Sequence, residues 1–284
     1  MTNSNLDWAV PVMRAGYAGR GTNYVIISVL SLIAIWRGDT PGGTSEALKA
    51  VETEPWGVAV LSLTALGLLA YALWRMASGF WDLEDYGKSA KGIIARSGQI
   101  VSGLVHFGLA VGVVTIVFAA GASQGDQSVI AKGTAWVMSM PFGRILVGLA
   151  GAVMIGAGAY YIRKGLTHKY LEQLRANEIT FRLRPALTAG LVAQGVTIGV
   201  IGFLFLLAAW QANPNEAGGL GEAFDWLREQ PFGTYLVTAL AAGLLAFALL
   251  CFVNAAYRIV PRLNDDGIET LDARIKAVAR KATH

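Results

Sequence analysis

Five side chains stand out because the residues around them are apolar: Arg20, Tyr24, Ser102, His106 and Gln194. A polar or ionisable group inside an apolar helix is costly to hold there, and it marks a candidate site. His106 is the sharpest case. It lies ten residues beyond Arg96, about 15 Å up a helix at 1.5 Å per residue. Ser102 precedes it by one turn on the same face. A histidine at that depth can bind a ligand or carry a proton. It can equally hydrogen-bond between helices, the plainer role expected for Ser102 and Gln194, where each such bond contributes about 0.6 kcal/mol. Arg20 is expected to snorkel to the nearer membrane surface. Arg75, Arg163 and Arg258 read as anchors of helix ends, and Asn254 as a cap or crosslink of the last apolar run.

Familiar catalytic patterns are missing. There is no Gly-rich phosphate loop, no His-Glu-x-x-His and no Gly-x-Ser-x-Gly. Three histidines and one cysteine, Cys251, form no metal-ligand spacing. No catalytic residue, cofactor or metal is therefore expected, and no carboxylate pair inside an apolar run suggests a cation pump.

Six apolar runs must position the polar set: Tyr24–Trp36, Val58–Trp74, Ser97–Ala122, Ile145–Ile162, Pro185–Trp210 and Thr234–Tyr257. A bilayer core needs roughly 20 mostly apolar residues per helix. The first run reaches that length with Tyr17–Asn23, and the second with Pro55–Gly57. The runs are continuous rather than alternating, which excludes a β-barrel. The first run lacks a small-residue cleavage pattern and reads as a span. The chain is 54% hydrophobic and 15% charged, against about 25% charged for a soluble domain. These features specify an all-α integral membrane protein with six transmembrane helices.

Loop charge sets orientation. Residues 1–20, 75–96, 163–184 and the tail from Arg258 hold 18 of the 23 Lys and Arg. Two of the alternate loops are acidic, with Asp39, Glu46, Glu52 and Glu54 in one and Glu216, Glu222, Asp225 and Glu229 in the other. Both termini are therefore expected in the cytoplasm. The net charge of +4 reflects this asymmetry and points to no nucleic acid.

One hairpin pattern occurs three times. Gly16 and Gly21 precede Pro55-Trp56-Gly57; Gly98 and Gly103 precede Pro141-Phe142-Gly143; Gly190 and Gly195 precede Pro231-Phe232-Gly233. Gly67-Leu68-Leu69-Ala70-Tyr71 recurs as Gly243-Leu244-Leu245-Ala246-Phe247, while the middle copy has Val153-Met154-Ile155-Gly156-Ala157. Each copy holds two spans, so all three run in the same direction. A pseudo-threefold bundle is expected, with Arg20, Ser102 and Gln194 at one level and Tyr24 and His106 above them. Proline suits the first turn of each second helix, and the aromatic ring suits the interface. Before each proline an amphipathic stretch, Glu46–Glu52, Val129–Met138 or Glu222–Glu229, is expected to lie on the outer surface. Gly98, Gly103, Gly108 and Gly112, with Gly151, Gly156 and Gly158, read as close helix contacts. In the tail, Ile268, Leu271, Ile275 and Val278 form an amphipathic stripe. It predicts a cytoplasmic helix on the inner leaflet, its basic residues meeting anionic lipid, or docked on a partner.

Arg14-Ala15-Gly16-Tyr17-Ala18-Gly19-Arg20-Gly21, Tyr24, the Pro-aromatic-Gly elements and Gly67–Tyr71 with Trp74-Arg75 carry a resemblance. Over residues 10–260 the chain resembles the bacterial family known as domain of unknown function 1206, whose members look like three tandem two-helix membrane units. Ser102 and Gln194 stand where the first copy has Arg20, and Tyr161 and Cys251 align near Arg75. The resemblance implies an architecture and no activity. The organisation expected is one repeat in 1–86, one in 87–170, one in 171–262, and a tail in 263–284. The location expected is the bacterial inner membrane. The sparse polar set favours a structural, lipid-binding or partner-binding envelope protein, with the bilayer and a membrane-protein partner or second copy as partners. A small transporter or channel-like protein with a polar site near the repeat axis is the alternative.

Overall fold

The computed structural model describes residues 8–39, 44–118, 129–261 and 270–275. Six long helices dominate: α1 (Ala9–Arg37), α3 (Gly57–Trp81), α4 (Ala90–Phe118), α6 (Gly143–Leu166), α7 (Glu178–Gln211) and α9 (Gly233–Tyr257). Each is long and apolar enough to cross a membrane. Three short helices, α2 (Thr44–Glu52), α5 (Val129–Met138) and α8 (Leu220–Arg228), each join the two members of a pair. The protein is an all-α integral membrane protein of three tandem two-helix repeats.

Around the bundle α4 packs on α3, α3 on α1, α1 on α9, α9 on α7 and α7 on α6. α4 and α6, the two halves of the middle repeat, form no packed interface. The pseudo-threefold ring is therefore open at one place. Burial follows the opening: 22% of the α4 span and 17% of the α6 span are buried, against 50% of α3 and of α9.

Small residues set the closest approaches. On α1, a Cβ at Gly16 would lie 2.5 Å from the Tyr71 backbone, and one at Gly19 would overlap Gly67. A Cβ at Gly158 would meet the Gly195 carbonyl oxygen at 2.6 Å, and one at Gly151 the Gly202 oxygen at 2.7 Å, so α6 lies backbone to backbone on α7. Close packing holds at Gly103, Gly151 and Gly158. It fails at Gly98, Gly108, Gly112 and Gly156, where a Cβ would meet open space. Two arginines finish helices across these contacts. Arg96 donates from Nε to the Gly79 carbonyl (2.8 Å), and Arg144 to that of Ala209 (3.2 Å), satisfying carbonyls that a helix end leaves without partners.

The Pro-aromatic-Gly element differs from expectation. The helices begin at Gly57, Gly143 and Gly233, not at proline. Proline and the aromatic residue form the corner of a β-turn closed by Gly57 N–H to Glu54 O (2.8 Å), Gly143 to Met140 (2.9 Å) and Gly233 to Gln230 (2.9 Å). Proline at the second turn position has its preferred φ. Phe142 and Phe232 take positive φ of 62° there and project outward, 78% and 77% exposed. Glycine is required next, because a Cβ would overlap the carbonyl oxygen of Val51, Val137 or Arg228 on the short helix just ended. Gly233→Ala is expected to cost about 1–3 kcal/mol, the range of overpacking. A thermal melt in lipid nanodiscs checks this; an unchanged midpoint would contradict the contact.

The short helices do not simply lie on the surface. Leu48 and Val51 of α2 pack with Leu61 and Leu68 of α3 and Val113 of α4. Phe224 of α8, fully buried, packs with Ile27 of α1 and Leu240 and Leu244 of α9. At the opposite, basic end, Met13, Trp74, Leu174, Leu187 and Leu250 share a third cluster. The tail joins that cluster. Leu271 N–H donates to the Leu174 carbonyl (2.8 Å), Leu271 is fully buried and Ile275 packs beside it. Their stripe faces the protein rather than lipid. Ile268 and Val278 lie outside the described residues.

Candidate functional site

Arg20 does not snorkel. It is 6% exposed, because both flanks of its helix are held. Gly16 and Gly19 press α1 on α3, and Gly21 sits beneath the Phe252 ring. The guanidinium is left facing inward among rings. Nη1 donates to the Tyr71 hydroxyl at 2.8 Å. Cζ lies 4.9 Å from the Tyr71 ring centre, 4.8 Å from that of Phe247 and 5.6 Å from that of Tyr24. Desolvated cation–π contacts contribute about 2 kcal/mol each, which offsets part of the burial of a charge. Among the described residues Arg20 forms no ion pair.

Polar groups converge on this cation. The Arg20 and Gln194 side chains approach the Tyr24 hydroxyl. The His106 ring packs on Tyr71 with centroids 4.6 Å apart. Its Nδ1 lies 2.8 Å from the Ser102 carbonyl; a carbonyl only accepts, so Nδ1 carries the proton and Nε2 is left as an acceptor. Several buried polar atoms have no partner: Arg20 Nε, Asn23 Oδ1, Gln194 Oε1 and both Gln99 amide atoms. Buried polar atoms normally find partners, so these atoms keep hydrogen-bonding capacity that the described residues do not use.

All these groups line one cavity of about 2840 Å³, against roughly 300–1,000 Å³ for ordinary ligand pockets. Along α1 its wall runs from Tyr17 to Arg37, twenty residues or about 30 Å of helix. Gly98, Gly108, Gly112 and Gly156, the glycines without helix contacts, line it too. Val101 of α4 and Val153 of α6, helices with no packed interface between them, are both exposed and both on its wall.

The basic end of the cavity carries a second polar group. Arg258 Nη2 and Glu84 Oε1 pair at 2.5 Å, with 8% and 2% of their side chains exposed. Tyr86 donates to the other Glu84 oxygen (2.9 Å), Arg258 Nη1 to Asn254 Oδ1 (2.8 Å) and Lys164 Nζ to Gln173 Oε1 (3.2 Å). Burial alone would raise the Glu84 carboxyl, but the charges of Arg258 and Arg75 outweigh it and bring it down to about 2. Burial alone would lower the Arg258 guanidinium, and Glu84 drives it upward instead. Arg20, Arg75, Lys91, Lys164 and Arg258 thus share this half of the wall with one carboxylate, Glu84. The far half carries Asp39, Glu52, Glu222 and Asp225 against Arg37 and Lys49.

The structure brings Arg20, Tyr24 and Gln194 together, with His106 one ring away through Tyr71. Ser102 lines the cavity and supplies its carbonyl to His106. Arg163 is exposed, as expected of an anchor, whereas Arg258 is a buried ion-pair partner and Arg75 lines the cavity. Sequence reasoning missed Asn23, Gln99, Tyr71, Phe247 and Glu84. Tyr71 and Phe247 had a signal: each ends the repeated Gly-Leu-Leu-Ala-aromatic segment. Among the described residues no three His, Cys, Asp or Glu side chains converge to hold a metal.

The chain is similar to "Uncharacterized protein YxxB" of Bacillus subtilis (strain 168), 25% identical over 256 residues that cover 88% of this chain and 92% of that protein. No solved structure matches it. A family model matches three times, at residues 15–82, 97–168 and 189–258, one match for each two-helix repeat. The chain thus belongs to the family described as Domain of Unknown Function (DUF1206).

Proposed function

We propose that this protein binds an amphipathic, lipid-like molecule inside the membrane, its polar part at Arg20. One observation carries the reading: a buried guanidinium without a carboxylate partner on the wall of an open, mostly apolar cavity. An arginine at mid-helix costs about 2.5–3.5 kcal/mol even on the mildest scales. Such a residue is better explained by a ligand it meets than by packing, which any apolar side chain would serve. Gln99, Gln194 and Asn23 supply further donors and acceptors. The basic loops face the cytoplasm of a bacterial plasma membrane in this reading, in line with loop charge. Because the cavity extends along about 30 Å of α1, passage of the ligand between leaflets is a second reading.

Arg20→Gln, purified from membranes and examined by native mass spectrometry, is expected to retain about tenfold less co-purified lipid than wild type, the effect of 1.4 kcal/mol. Arg20→Lys keeps the charge and is expected to restore part of it. Circular dichroism reports the fold independently. Equal lipid retention in well-folded Arg20→Gln would sink the reading.

A further inference from the structure

The three hairpins are directly comparable, and the middle one breaks the rule that closes the others. Twelve residues after the turn proline stand Gly67, Val153 and Gly243. Three residues after the first repeat glycine stand Gly19, Val101 and Ala193. In the first hairpin Gly19 and Gly67 meet backbone to backbone; in the third, a Cβ on Gly243 would strike that of Ala193. Two valines occupy the matching places in the middle hairpin. They do not meet: Val101 is 59% and Val153 64% exposed, and both line the cavity. Gly16 and Gly190 abut the backbones of Tyr71 and Phe247, whereas Gly98, their counterpart, has open space before it. Small residues allow helices to approach and branched ones hold them apart. The opening follows from the sequence of this repeat.

We propose that the gap between α4 and α6 is a lateral portal through which an anionic phospholipid enters from the bilayer, its chains in the gap and its head group toward the basic end. This rests on the lipid-binding reading above and adds the route and the head-group charge. Two features select that occupant. The gap lies within membrane-spanning helices and its edges are apolar, so hydrocarbon reaches it without leaving the bilayer. Charge then orients the ligand: Arg20, Arg75, Lys91, Lys164 and Arg258 against Glu84 at one end, and a majority of carboxylates at the other. A phosphodiester is drawn to the first end and repelled by the second. A second copy of the chain seated in the gap would fill the apolar edges but leave Arg20 without a counter-charge and the Gln99 amide without a hydrogen-bond partner.

The test uses the full chain in nanodiscs containing phosphatidylglycerol with a diazirine on one acyl chain. After irradiation, adducts are mapped by mass spectrometry. Wild type is expected to carry adducts on cavity residues such as Ile198 and Gln99. Val153→Trp, a change at an exposed site that plugs the gap, is expected to lower them about tenfold, while adducts on the lipid-facing Phe203 stay constant. Val101→Gly with Val153→Gly, which copies the first hairpin, is expected to lower them too. Equal cavity labelling in wild type and both variants overturns the portal and leaves lipid binding standing. Equal labelling by the phosphatidylcholine analogue overturns the anionic head group alone. Cavity labelling absent from wild type, with Arg20-dependent binding of short-chain dihexanoyl phosphatidylglycerol retained, overturns the portal and not the binding site. A crosslinked dimer without lipid adducts overturns the proposal in favour of a second copy.

Discussion

Glu84→Gln is expected to lower the stability of the folded protein by about 3–5 kcal/mol, the cost of leaving one member of a buried ion pair alone. Arg258 is 8% exposed and already bonded to Asn254 and Gln173, so it cannot swing out to water. Thermal unfolding in nanodiscs measures the loss. Glu84→Gln combined with Arg258→Met removes both charges and is expected to be milder than Glu84→Gln alone. A single variant as stable as wild type would show that the pair contributes nothing. The pH dependence has a definite sign. The folded carboxyl lies at about 2, below its ordinary 4.5, so folding favours the ionised form. The stabilisation is fully present above about pH 5 and is lost as pH falls toward 2; that gap corresponds to about 3 kcal/mol. In Glu84→Gln this part of the acid sensitivity should vanish.

Gly67→Val is the second large effect. It places in the first hairpin the residue the middle hairpin carries. Here, however, the neighbour is the Gly19 backbone, which cannot turn aside as a side chain can. A loss of about 3 kcal/mol, the upper end of overpacking, is expected. It should appear as reduced monodisperse yield and an earlier melt. Gly98→Val is the control, because a Cβ there meets open space; it should change stability little. If the two variants behave alike, the contact between α1 and α3 does not close the first hairpin.

The six spans and three repeats were legible in the sequence because apolar length and local spacing specify them. Each apolar run became a helix near its expected place, although α7 starts seven residues before Pro185. What failed depended on neighbours. Arg20 reads as a snorkelling residue if lipid surrounds α1, but α3 and α9 enclose it. Arg258 reads as an anchor until Glu84, 174 residues away, is brought beside it; no local pattern links them. The proline was misplaced by two residues because its role lies in the turn, and the short helix that demands the following glycine is a tertiary partner. The glycines of α4 and α6 show the same limit. Their type was visible, but whether a helix faced them was not. The valines at 101 and 153 were equally visible, and only the alignment with Gly19 and Gly67 gives them meaning.

Because the middle repeat is shared out, its two helices stand at the ends of one row of packed helices, α4–α3–α1–α9–α7–α6. A closed ring has no ends; a row has two, and each leaves one helix face with no helix to pack on. The middle repeat can therefore change residues on those faces without disturbing an interface between helices, a freedom the first and third repeats lack.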